Sequence, residues 1–196
     1  MRMRTLVYLT AACVLLVAAR TVLARDGWVL SVLWNIGLAW LPLGFAWLAR
    51  GRRAWWIPWL AFLPNSLYLV TSLVHLHRGP HFSLDAALFG LTALLGLGLG
   101  IAALAPAHAA IERRFGVTAG WGFVVCATLV SGFGVYLGRV RRWNSWDLVT
   151  NPGATITDAL ARLGDAHAVV LTIAGFAVYL AAYAAVPRET RARSSS

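Results

Sequence analysis

Lysine does not occur in this sequence, and acidic residues number only seven in 196. Charged residues make up 12% of the chain, against roughly 25% in soluble domains. That scarcity excludes an ordinary soluble domain. Hydrophobic residues fill the gap at 60%, and several apolar runs reach the roughly 20 residues needed to cross a bilayer. The missing lysine also bears on the net charge of +10. All seventeen cations are arginines in or beside short loops between apolar runs, a pattern of orientation signals rather than of a nucleic-acid footprint. The lipid bilayer is the expected partner, and no nucleic acid is. Cysteine is nearly absent too. Cys13 and Cys126 lie inside apolar runs, remote from any metal-ligand spacing, and read as packing residues. No cofactor or metal is expected, and no nucleophile elbow, phosphate loop or zincin motif is present.

What is there predicts an all-α, polytopic transmembrane bundle of about six spans, at 5–24, 28–49, 54–76, 84–107, 119–138 and 167–186. They form one unit over 1–187, with a disordered tail at 188–196. The first span has a competing reading as a signal peptide, from Arg2, Arg4 and "TVLA" before Arg25. Arg20 interrupts the stretch where a cleavage region is small and neutral, which favours a retained span.

Arginine sets the orientation. Arg2, Arg4, Arg50, Arg52, Arg53, Arg113, Arg114, Arg188, Arg191 and Arg193 fall on one side, against Arg25, Arg78, Arg139, Arg141, Arg142 and Arg162 on the other. Both termini are therefore expected in the cytoplasm. Glu112 and Glu189 fall inside, and Asp26, Asp85, Asp147, Asp158 and Asp165 outside. Tryptophans form the two interfacial belts. Gly96 with Gly100, and Gly134 with Gly138, are pairs four apart that allow close helix packing, here read as joining the fourth and fifth spans. In the outer loop, "TNPG" (150–153) is turn chemistry. A short amphipathic helix capped by Thr155 or Thr157 follows, ended by Gly164, and Asp165 caps the last span.

The stretch "FLPNSLYLVTSLVHLHRGPH" (62–81) carries more polar groups than lipid tolerates. At about 100° per residue, Asn65, Tyr68, Thr71, Ser72 and His75 fall within an arc of about 120°. Unpartnered polar groups in hydrocarbon cost several kcal/mol, so that face meets other helices or a water-filled cleft. Ser31, Asn35 and Arg20 share the outward bias, giving a polar wedge that opens outward. Pro64 frees the Leu60 carbonyl within a kinked helix, and Asn65 follows it directly. His75, His77, His81 and Asp85 invite a zinc reading, but Gly79 and Pro80 in the loop leave its geometry undefined. Asp85 is read as the start, or N-cap, of the fourth span.

"GRVRRWNSWD" (138–147) adds Arg139 and Arg142, which share a helix face if the fifth span continues outward. Trp143, Asn144, Trp146 and Asp147 accompany them. Two readings stand: an interfacial anchor with an Arg–Asp ion pair, or one wall of an anion-recognising pocket. Together, "FLPNSLYLVTSLVHL" and "GRVRRWNSWDLVTNP" resemble the bacterial integral-membrane family called domain of unknown function 1361, over about residues 30 to 186. The resemblance implies a multi-pass protein of the bacterial inner membrane. In the family the position of Ser72 is commonly Asp, so a role that needs that carboxylate does not carry over.

The expected function is binding of an anionic or lipid-type ligand in an outward-opening polar cleft, in connection with transport. The expected ligand-binding residues are Asn65, Tyr68, Thr71, Ser72, His75, Asp85, Arg139, Arg142, Trp143, Asn144, Trp146 and Asp147. Two alternatives stand beside it. One is an intramembrane enzyme on lipid-linked or envelope substrates, with His75 and Asp85 as acid–base groups. The other is a structural subunit whose polar stripe is satisfied internally.

Overall fold

The computed structural model describes residues 2–25, 27–77 and 79–187. The charges assigned above to Asp26, Arg78, Arg188, Glu189, Arg191 and Arg193, and the 188–196 tail, lie outside the described residues. All regular structure among the described residues is helical. Six helical stretches are long and apolar enough to cross a membrane: Met3–Ala24, Trp28–Leu48, Arg53–His75, Phe82–Phe115, Val117–Arg139 and Ala166–Ala185. The chain is a multi-pass membrane protein by that measure.

The pillar is α5, Phe82–Phe115, a helix of 34 residues. At about 1.5 Å per residue it spans about 51 Å, well beyond a hydrocarbon core of about 30 Å. It extends past the predicted 84–107 because Ala-rich sequence and Glu112 sustain the helix, and Gly116 at φ 88° then stops it. Its small residues let neighbours approach from all sides. Helices α1 (Met3–Ala24), α2 (Ser31–Leu48) and α6 (Val117–Arg139) pack along it, and Leu88, Leu95, Leu99, Ala103 and Leu104 are fully buried there. The last span, α9 (Ala166–Ala185), packs chiefly on α6.

The third span is broken into α3 (Trp56–Phe62), α4 (Pro64–Tyr68) and a 3-10 turn at Val70–His75. Proline removes an N–H and disfavours helix at the residue before it, so a new helix starts with Pro64 in its first turn. The Ser66 N–H bonds Leu63 O three residues back, at 3.2 Å, instead of Phe62 O four back. The Asn65 amide donates to that Phe62 carbonyl at 3.0 Å. The side chain beside the kink therefore caps Phe62, not the Leu60 carbonyl that a single missing bond suggested.

The glycine pairs serve this broken span. A Cβ at Gly96 would overlap Ser66 O and Leu69 Cβ, and one at Gly100 would overlap the Tyr179 hydroxyl and Ser66 Oγ. From the other side, a Cβ at Gly134 would overlap Pro64, and the Tyr68 ring lies against Gly138. Helices α5 and α6 are neighbours, but their glycine pairs close around α4 rather than on each other.

Beyond α6 the chain forms α7 (Asp147–Thr150) and α8 (Pro152–Ala161) before α9. Pro152 starts α8 instead of continuing a turn, because its fixed φ suits the first helical position. The helix therefore begins before Thr155 and Thr157, which do not cap it. Asp165 does cap α9, accepting from the His167 N–H at 2.8 Å.

Candidate functional site

Two adjoining cavities lie where α2, α4, the 3-10 turn and the end of α6 meet. Asn35 and Tyr68 line both.

The smaller cavity holds about 100 Å³, and Tyr68, Ser72, His75 and Arg139 of the expected set reach it. Arg139 is the last residue of α6. Its Nη2 donates to His75 Nε2 at 2.9 Å, which makes that ring nitrogen the acceptor and places the imidazole proton on Nδ1. The guanidinium carbon also lies 5.5 Å from the Tyr68 ring centroid, within cation–π range. His75 is set by Trp28 and Phe89, with ring centroids at 5.4 and 6.1 Å. No carboxylate pairs with Arg139 among the described residues. Its partners are a neutral ring and a π-face, so its charge stays uncompensated.

The larger cavity holds about 140 Å³ and lies between α4 and the 143–148 segment. Asn65, Tyr68, Trp143, Asn144 and Trp146 of the expected set line it. Asn65 spans the gap, donating to Ser145 Oγ at 2.9 Å. The two sequence motifs thus meet through a direct hydrogen bond. Trp146 is set edge-on to Trp34, with ring centroids at 6.1 Å. Trp143 donates to Asp158 Oδ2 at 2.8 Å.

Four expected residues stand elsewhere. Thr71 lines neither cavity, and its hydroxyl bonds Tyr68 O at 2.6 Å. The 3-10 turn advances about 120° per residue rather than about 100°, which aligns Ser72 with His75 and turns Thr71 away. Asp85 lies inside the first turn of α5 rather than at its cap, since the helix starts at Phe82. It forms a buried ion pair with Arg20, Nε to Oδ1 2.6 Å, and no hydrogen bond joins it to His75 among the described residues. Arg142 does not continue the helix. The helix α6 ends at Arg139, and Arg142 sits exposed at φ 61°. Asp147 accepts from the Asn144 backbone N–H at 2.7 Å and starts α7.

The Arg–Asp anchor is formed by Arg141 with Asp158. Two bonds, Nε to Oδ2 at 2.9 Å and Nη2 to Oδ1 at 3.0 Å, make it bidentate. The Arg141 and Trp143 hydrogen bonds hold the Asp158 carboxyl down at about 2, below the usual carboxylate range. The sequence reading missed Trp34 and Trp28 as walls, left Ser145 out of the residue set although its segment was read as a wall, and placed Asn35 in the wedge without giving it a site. The histidines do not converge: His77 Nδ1 lies 2.8 Å from His75 O. Among the described residues no three His, Cys, Asp or Glu side chains gather as a metal site.

The model of the family described as protein of unknown function DUF1361 matches residues 34–181. The chain belongs to the DUF1361 family. The match takes in both motifs and both cavities' α4 and α6 walls, whereas Arg20 and Trp28 precede it. No curated protein and no solved structure matches the chain.

Proposed function

We propose that this DUF1361 protein binds an anionic headgroup, phosphate- or carboxylate-bearing, in the paired cavities, with Arg139 as its anchor. One observation carries the reading. Arg20, Arg141 and Arg162 each have an aspartate partner, while Arg139 faces a cavity with only His75 and Tyr68 beside it. A guanidinium is charged at any relevant pH, and a half-buried cation at a cavity wall with no carboxylate beside it suits an anion. Forked N–H donors suit phosphate and carboxylate oxygens.

The arginine distribution supports placing the cavities on the outer side, with both termini cytoplasmic. Family resemblance supports a bacterial cytoplasmic membrane. A membrane-embedded ligand of this class is lipid-like, and its binding serves passage or presentation of such a headgroup. Catalysis by His75 with Asp85 has less support, because Asp85 is committed to Arg20.

Thermal unfolding in detergent tests the proposal. Phosphatidylglycerol should stabilise the protein over phosphatidylcholine, and Arg139→Gln should remove the difference. Equal stabilisation by both lipids in the unaltered protein contradicts it.

A further inference from the structure

The larger cavity has a chemistry that charge alone does not explain. The chain contains no glutamine and four asparagines, Asn35, Asn65, Asn144 and Asn151. The first three line this one cavity. The Asn35 side chain makes no hydrogen bond among the described residues, and among them nothing donates to Oδ1 of Asn65 or of Asn144. The Tyr68 hydroxyl is likewise without a protein partner among the described residues. A carboxamide offers both a donor and an acceptor, and a phenol can do either. Open groups of this kind suit a ligand that carries several hydroxyls.

Much of the remaining wall is apolar. Trp34, Trp143 and Trp146 contribute indole rings. The C–H face of a saturated sugar or polyol ring carries partial positive charge and packs on the electron-rich face of an aromatic ring. Indole plus carboxamide therefore matches a hydroxylated ring, with its C–H faces on tryptophan and its edge hydroxyls on asparagine. The cavity holds about 140 Å³, and an apolar cavity of about 150 Å³ accepts bare benzene, so a hydroxylated ring would fill this space and place its outer hydroxyls at the open side. Position agrees as well. Asn35 and Tyr68 line this cavity and the Arg139 cavity alike. A ring in the first would have its phosphate beside Tyr68, within reach of the guanidinium 5.5 Å from that ring centroid.

We infer that the ligand is a phosphate ester of a hydroxylated six-membered ring, with the ring among Asn35, Asn65, Asn144 and Trp146 and the phosphate at Arg139. This rests on the anion reading above and narrows it. The source is either a lipid headgroup or a soluble sugar phosphate, since both present the same chemistry.

Native mass spectrometry of the full chain in detergent compares phosphatidylinositol, which has ring and phosphate, with phosphatidylglycerol, which has phosphate and no ring. Phosphatidylinositol should be retained about tenfold more. Asn35→Leu and Trp146→Leu should lower it to the level of phosphatidylglycerol, with an unchanged size-exclusion profile showing that the variants are folded. Tyr68→Phe, which removes only a hydroxyl, should lose part of the preference. Equal retention of the two lipids by the unaltered protein, or a preference untouched by all three variants, overturns the inference while the anion reading stands. No retention of either lipid above phosphatidylcholine overturns both. Glucose 1-phosphate and glycerol 3-phosphate, added as competitors, separate the sources. Displacement by the first alone supports the ring slot with a soluble ligand. A phosphatidylinositol preference with no displacement supports it with a lipid-linked one. Displacement by both alike counts against it.

Discussion

Arg139 and His75 are 64 residues apart in sequence and joined at 2.9 Å, guanidinium Nη2 to imidazole Nε2. The bond ties the end of α6 to the end of the broken third span and holds the cation at the cavity wall. His75→Gln retains an acceptor at a similar reach. His75→Leu strips one and leaves a half-buried guanidinium donor unmet, a loss of about 1–3 kcal/mol. Thermal unfolding should show a clear drop for the leucine variant and a smaller one for glutamine.

The buried pair of Arg20 and Asp85 joins α1 to α5, with side chains 9% and 12% exposed. Removing one partner of such a pair strands the other and costs about 3–5 kcal/mol, whereas apolar replacement of both is often neutral. Arg20→Met and Asp85→Leu should each reduce the yield of folded protein sharply. The double variant should recover much of it, as read by size-exclusion profile and melting temperature.

Glycine positions separate packing from propensity. Gly134→Ala places a methyl into Pro64 and should cost about 1–3 kcal/mol as overpacking. A methyl at Gly122 would meet nothing within 4 Å, so Gly122→Ala should be neutral or stabilising by about 0.5–1 kcal/mol. Comparison of the two melting temperatures checks both.

Asp158 sets a pH window for the loop. Its carboxyl is held down at about 2 by Arg141 and Trp143, against about 3.9 when unfolded. A depressed folded value means its stabilisation is full above about pH 4 and fades as pH falls toward about 2. Hydrogen-exchange protection factors over residues 141–162, with the intrinsic pH dependence of exchange divided out, should be constant from neutral pH to about 5. Asp158→Asn should lower them throughout that range.

Much of the site is legible in the sequence because polar groups in an apolar run demand partners. Asn65 and His75 stand out on that ground, and each meets the "GRVRRWNSWD" segment, at Ser145 and Arg139. The six-span helical bundle follows from apolar run lengths in the same way. Thr71 is misplaced by a uniform α-helical period, because the turn it sits in tightens to 3-10. Arg142 is misplaced because nothing in "GRVRRW" announces that the helix stops at Arg139, or that a non-glycine residue then takes a left-handed conformation. Asp85 reads as a cap because aspartate is a preferred N-cap residue, whereas α5 starts three residues earlier, at Phe82 behind His81. Asn35 is easily underrated because one amide in an apolar helix has no periodicity. Its weight comes from sharing a cavity with two of the other three asparagines.

The central claim is that Arg139 anchors an anionic headgroup, and lipid occupancy in native mass spectra tests it most directly. The unaltered protein, Arg139→Gln and Arg142→Gln would each be equilibrated with equal phosphatidylglycerol and phosphatidylcholine. The unaltered protein and Arg142→Gln should retain phosphatidylglycerol preferentially. Arg139→Gln should lose about tenfold or more of that preference, as expected for one charged hydrogen bond of about 1.5–3 kcal/mol. A preference that survives Arg139→Gln, or that falls equally with Arg142→Gln, would contradict the claim.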